Sequence, residues 1–149
     1  MTTAHNRVEV MHGVNLDMLG RRPAEHYGNI TLDQLQVKVR GFARELDLEA
    51  RFFNTNHEGE FVEHLHRVHQ LTDGLILNAG AWTHYSYAIR DALEIVGLPT
   101  VEVHLSAVGA REEWRRHSVL EGLVLDTVSG EGPDGYRKAL GLLKERFGV

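Results

Sequence analysis

The sequence predicts one α/β domain in which five parallel strands form a sheet with helices on both faces, a three-layer sandwich. Three observations predict it. Strand-like and helix-like segments alternate along the 149 residues, the order that builds a parallel sheet. One strand-like segment, Gly74 to Asn78 (GLILN), is a short unbroken apolar run, as expected of a strand buried on both faces. Polar residues follow nearly every strand-like segment and none collect ahead of them; open parallel sheets bind ligands at that carboxyl edge. The length suits a single domain, residues 1–149.

Arg7 to Met11 alternates around Val8 and Val10 and reads as the first strand. It feeds a long connection, His12 to Gly28 (HGVNLDMLGRRPAEHYG). Most connections are about 4 to 6 residues, and much longer ones tend to be lids or binding loops, so residues 18–28 are read as a mobile lid. Thr31 to Gln34 has the capping-box form and starts a helix whose Leu32, Leu35, Val39, Phe42, Ala43 and Leu46 keep one face apolar. Leu48 to Asn54 is a second strand. After a polar turn, Phe61, Val62, Leu65 and Val68 mark the next helix. The third strand, Gly74 to Asn78, ends in Asn78-Ala-Gly-Ala-Trp-Thr-His84. A helix follows with Ala88, Ile89, Ala92, Leu93 and Val96 on one side, and Gly97 and Pro99 stop it. Thr100 to Leu105 is the fourth strand, Ser106 to Arg111 a loop, and Glu112 to Val119 a short helical segment. Leu123 to Val128 is the fifth strand, and Pro133 to Phe147 closes the chain as a helix with Tyr136, Leu140, Leu143 and Phe147 inward. Right-handed crossovers leave few topologies, and flavodoxin-like order is the first choice.

Composition narrows the function. Without cysteine there is no disulfide and no thiolate metal site. The net charge of −5, with no basic block beyond Arg115-Arg116, argues against nucleic acid as a partner. No apolar run approaches the roughly 20 residues of a membrane span, and the opening MTTAHNRVEV lacks the basic flank and apolar stretch of a signal peptide. A cytoplasmic location is expected. Ten histidines stand out. His64, His66 and His69 share one helix, but no HExxH pattern completes a site and no metal is expected. Gly130-Glu-Gly-Pro-Asp-Gly135 matches the dinucleotide pattern G-x-G-x-x-G, yet that motif belongs after the first strand.

The reagents that remain suit proton transfer. In the long connection, Arg21 and Arg22 precede Tyr27, and nearby positive charge favours an ionised phenol, which is a base. A free phenol titrates near 10, so a phenolate base at neutral pH needs about 3 to 4 kcal/mol of preferential stabilisation of the anion. Two guanidiniums in a closed, water-poor site could supply it, which gives a lid a purpose. The alternative is that Tyr27 only packs and the arginines are solvated. Glu102 and His104 are two apart on one face of the fourth strand; a carboxylate can hold an imidazole charged and able to donate. A surface histidine at a strand end is the other reading. Together they suggest an elimination, with Arg22 and Arg111 suited to a carboxylate substrate or an anionic intermediate.

At this point the residues resemble a family. Asn15-Leu-Asp-Met-Leu-Gly-Arg-Arg22 through Tyr27-Gly28, Asn56-His-Glu-Gly-Glu60, Asn78 to His84, Arg90-Asp-Ala-Leu93, Glu102-Val-His-Leu-Ser106, Ala110 to Glu113 and His117-Ser118 are similar, in order, to type II 3-dehydroquinate dehydratase. The resemblance spans nearly the whole chain. It implies a flavodoxin-like fold, no cofactor, and a homo-dodecamer built from trimers. It implies Tyr27 as the base at carbon 2 of 3-dehydroquinate, with Arg22 beside it in the lid. Asn15 would hold a water against the enolate, and His104, supported by Glu102, would protonate the departing hydroxyl. Asn78, His84 and Arg111 would hold ring hydroxyls, Leu105 and Ser106 the carboxylate, and Asp91 would reach a neighbouring subunit's site.

The pattern is not copied whole. The usual Asn-Gly-Pro-Asn-Leu-Asn appears as His12-Gly-Val14-Asn-Leu-Asp17, Arg-Glu-Pro as Arg22-Pro-Ala24, and Ser-Asn-Val-His-Ala-Arg as Ser106-Ala107-Val-Gly109-Ala-Arg111. Trp82 and Tyr85 are bulkier than usual. Beside a working 3-dehydroquinate dehydratase, in the shikimate route or in quinate breakdown, stand two alternatives: a paralogue acting on a related cyclic hydroxy-acid, and a non-catalytic ligand-binding homologue.

Overall fold

The computed structural model describes residues 5–149; the first four residues, part of the opening stretch read above for a leader, lie outside the described residues. Five parallel strands, β1 (Arg7–His12), β2 (Glu49–Asn54), β3 (Gly74–Asn78), β4 (Thr100–His104) and β5 (Asp126–Ser129), lie in the order β2-β1-β3-β4-β5. This is the flavodoxin-like order. The helices are α1 (Ala24–Tyr27), α2 (Leu32–Glu45), α3 (Glu58–Val68), α4 (Tyr87–Val96) and α5 (Asp134–Phe147). Among the described residues no helix is long and apolar enough to cross a membrane.

Alternation along the strands divides the core in two. Val8, Val10, Ile76, Val101 and Val103 face α2 and α5, while Met11, Leu75 and Leu77 face α3 and α4. The capping box at Thr31 is formed in both directions, with Gln34 N donating to Thr31 Oγ1 and Thr31 N to Gln34 Oε1. The apolar faces read for α2 and α5 are the buried ones, although Phe42, Leu46 and Phe147 are only partly covered.

Three elements differ from the sequence expectation. The fifth strand begins at Asp126, not Leu123; Leu123 and Val124 pack onto the second core cluster from a turn, so their apolar run records burial rather than strand pairing. Of the helical segment expected over Glu112 to Val119, only Glu113–Arg115 forms, as one 3-10 turn, because Ser118 and Val119 turn inward to bond Glu102 and the Thr83 carbonyl. The long connection is structured, with a 3-10 turn at Leu16–Met18 and the four-residue α1. Leu16, Leu19 and Tyr27 bury their side chains in the first core cluster.

At the amino edge of the sheet, opposite the polar edge, Asp73 ties β1 to β3. It accepts hydrogen bonds from Arg7 N at 2.9 Å and Arg7 Nε at 3.1 Å. Burial opposes ionisation of its carboxyl, but the bonds from Arg7 and His5 outweigh this and hold it at about 2. Because the folded value lies below the ordinary one, the stabilisation is present above about 4 and disappears as pH falls through about 2. Asp73→Asn should lower the melting temperature by roughly 2–4 °C at pH 7, with variant and wild type converging near pH 2. An equal gap at both pH values in a thermal melt series would contradict this account.

Candidate active site

β1 and β3 are neighbours whose connections leave in opposite directions, and a crevice opens beyond their carboxyl ends, as such switch points require. Its floor needs backbone to meet backbone. A Cβ on Gly13 would lie 2.4 Å from the Ala79 carbonyl oxygen, and one on Gly80, whose φ is +65°, would lie 2.6 Å from the Val14 carbonyl oxygen. Only glycine fits there. Hydrogen-bonding side chains and a few apolar ones line the crevice together, the mixture found in small-molecule sites.

Part of the crevice is built around Tyr27. The Arg111 Nη1 donates to its hydroxyl oxygen at 2.6 Å and to Ser106 Oγ at 3.3 Å. The Arg22 guanidinium lies 3.9 Å from the centre of the Tyr27 ring. Two guanidiniums therefore meet the phenol, but they are not the adjacent pair of the sequence reading. Arg21 is exposed, and its place is taken by Arg111, 84 positions away. Arg111 Nε is buried with no hydrogen-bond partner, and Glu112 Oε1 lies 3.9 Å from it.

The same crevice is lined by His104, which is 5% exposed. Its Nε2 lies 2.5 Å from Glu102 Oε2. Glu102 also accepts from Thr83 Oγ1 at 3.2 Å and Ser118 Oγ at 2.7 Å. Burial opposes ionisation of the Glu102 carboxyl, but His104 and these hydroxyls outweigh it and hold it below the usual range. An ionised Glu102 takes the Nε2 hydrogen and leaves Nδ1 as the nitrogen for a ligand. His84 stands alongside, with ring centres 6.2 Å apart. Its Nδ1 hydrogen is donated to the His117 carbonyl at 2.7 Å, so Nε2 is an acceptor. Burial, with lesser repulsion from His104 and Arg115, draws the imidazole below its usual value against the pull of the His117 carbonyl. A neutral His84 can accept a hydrogen bond from a hydroxyl.

A base candidate and an acid candidate thus share one crevice whose walls are hydrogen-bonding groups. A model of the family described as Dehydroquinase class II matches residues 6–144. The chain belongs to this family. A protein of Pelobacter propionicus named 3-dehydroquinate dehydratase is 50% identical over 135 residues, 90% of this chain and 91% of that one. One of the same name from Thermotoga petrophila is 47% identical over 95% of this chain and 96% of its own. The crystal structure of a type II dehydroquinase from Butyrivibrio crossotus superposes with a TM-score of 0.91 at 37% identity, over 95% of this chain and 99% of that one.

The remaining predicted residues of this class II dehydroquinase divide as follows. Asn15, Asn78, Leu105 and Ser106 line the crevice with Arg22, Tyr27, His84, His104 and Arg111, whereas Glu102 sits behind His104. Asp91 lies exposed on α4 and outside this crevice. Asn56, which opens the family-like stretch Asn56–Glu60 but with no role implied for it, fastens the start of the long connection: its Oδ1 accepts from Asn15 N at 2.7 Å and its Nδ2 donates to Asp17 at 3.1 Å. The Gly130–Gly135 stretch is a clamp, not a phosphate cradle, since the amides of Gly130 and Gly132 donate to the carbonyls of Ser106 and Leu105. His66 and His69 are exposed, His64 turns in to Glu9 at 2.8 Å, and no metal-holding group of three occurs among the described residues. Sequence reasoning missed Arg115, which lines the crevice, and the hydroxyls of Thr83 and Ser118. Arg115 signalled only as a charged pair with Arg116, and Thr83 and Ser118 stood inside family-like motifs without a role of their own.

Proposed function

We propose that this dehydroquinase converts 3-dehydroquinate to 3-dehydroshikimate by anti elimination through an enolate. Tyr27, as phenolate, takes the proton from carbon 2, and the electron pair moves onto the ketone oxygen. Asn15 holds a water against that enolate. As the enolate collapses, the bond from carbon 1 to its hydroxyl breaks, and a proton from His104 lets it leave as water. Glu102 orients His104, Arg22 and Arg111 attract the phenolate's charge, and no redox partner or cofactor is needed. Asn78, His84 and Arg111 hold the ring hydroxyls, and Leu105 with Ser106 the carboxylate.

The observation that supports this best is the pairing itself: a phenol met by two guanidiniums and a carboxylate-backed imidazole lining the same crevice. Purified protein given 3-dehydroquinate should develop the absorbance of a conjugated enone. Product from another cyclic hydroxy-acid, and none from 3-dehydroquinate, would favour the paralogue; tight binding of an enolate mimic with no product would favour a binding protein. The reaction is the same in the shikimate route and in quinate breakdown.

The active form is a dodecamer built from trimers, in which Asp91 meets the site of a neighbouring copy. Tyr87, Asp91 and Ile95 are spaced four apart along α4, and all three are exposed, Tyr87 at 69% and Ile95 at 73%. Such a face is suited to burial against another subunit. Light scattering at micromolar protein should give twelve copies. A stable, fully active monomer would rule this out.

A further inference from the structure

Beneath Asn78 lie two buried groups that the chemistry above does not use. His12 ends β1 and is the register partner of Asn78 on β3; Tyr136 lies in the first turn of α5, and both are 0% exposed. His12 Nε2 lies 2.8 Å from the Tyr136 hydroxyl oxygen, and Asn78 Nδ2 donates to that same oxygen at 3.1 Å. Asn78 Oδ1 accepts from Gly80 N at 3.3 Å.

Counting hydrogens fixes the direction of this relay. If Tyr136 donates its hydrogen to His12 Nε2, its oxygen is left to accept from Asn78, and the only orphan is the His12 Nδ1 hydrogen. That nitrogen is indeed buried without a partner. If His12 Nε2 donated instead, both the Tyr136 hydrogen and the bare Nδ1 would be orphaned. Each orphan in a buried site is costly, so the first arrangement holds. Burial keeps the imidazole neutral, drawing it down to about 4, and pushes the Tyr136 phenol up, so it retains its hydrogen. Turning the Asn78 amide over would then bring two oxygens together at Tyr136 and two N–H groups together at Gly80.

We propose that His12, acting through Tyr136, is a positioning residue that fixes the orientation of the Asn78 amide and so sets which of its atoms meets a substrate hydroxyl. The contact with substrate rests on the dehydratase reading; the orientation itself does not. In His12→Phe the ring's bulk stays but its acceptor is gone, and the Tyr136 hydrogen must find Asn78 Oδ1. The amide should turn over, and a neutron crystal structure of the variant without substrate, which tells amide nitrogen from oxygen, should show Asn78 Nδ2 in place of Oδ1 facing Gly80 N.

With substrate, KM should rise about three- to tenfold while kcat stays within about twofold, the signature of a lost uniform binding contact. His12→Gln, whose amide oxygen can accept from Tyr136, should recover most of that loss. In Asn78→Ala, adding His12→Phe should change KM no further, because the relay then has nothing to orient. An intact Gly80 contact with unchanged KM in His12→Phe would overturn the proposal. So would a double variant whose losses multiply, since His12 would then act through packing. A wild type that forms no product would fail the dehydratase reading, and the crystal structure of His12→Phe would still decide this one.

Discussion

Tyr27→Phe should reduce kcat for 3-dehydroquinate by about 100- to 10,000-fold, the range of a general base, and should stop exchange of the carbon 2 hydrogen with deuterated solvent. The substitution is a clean one. The ring is 9% exposed and packs with the first core cluster, so phenylalanine keeps the packing, and Arg22 keeps its place over an aromatic face. Only the hydroxyl is lost, and with it the acceptor for Arg111 at 2.6 Å. Arg22→Gln should slow the same exchange step, because one of the two positive charges that favour the phenolate is removed. Arg22→Lys should recover only part of the rate, since an ammonium replaces the charge but not the planar guanidinium that lies on the ring. Exchange at the wild-type rate in Tyr27→Phe would mean that another group is the base and that α1 is only a cover.

His104→Ala should abolish net dehydration, again by about 100- to 10,000-fold, yet leave exchange at carbon 2 running. Proton removal and hydroxyl departure are separate steps in the proposed sequence, and His104 serves the second. Ligand binding should fall much less than turnover, because Asn78, His84 and Arg111 remain along the walls. The variant leaves Glu102 in the interior with Thr83 and Ser118 as its remaining partners. Its carboxyl should therefore move up toward the ordinary range, since the His104 bond is the largest influence holding it down. The folded protein should lose stability at neutral pH in consequence, which His104→Asn, able to donate to Glu102, should limit. Loss of both exchange and turnover in a well-folded His104 variant would place the imidazole in the first step instead.

The sequence by itself determined the sheet, its helices and most of the residues that line the crevice. Period-two alternation at Val8 and Val10, the apolar run at Gly74–Asn78 and the capping box at Thr31 are local or nearest-neighbour signals, and local geometry obeys them. The spacing of Glu102 and His104 placed a carboxylate beside an imidazole because a strand puts alternate residues on one face. What the tertiary structure decided involves residues distant in sequence. Arg111, not Arg21, completes the charge around Tyr27, since the loop after β4 brings it to the phenol, and no spacing rule links positions 84 apart. Leu123 and Val124 resembled strand because burial in a turn and burial in a sheet leave the same apolar mark. The glycine-rich motif before α5 became a clamp because the free carbonyls of Leu105 and Ser106 lie within reach of its amides. The His12–Tyr136–Asn78 relay joins β1, α5 and β3. Nothing in the sequence links the three, and only packing in a dry interior, where every hydrogen must find an acceptor, turns them into one device.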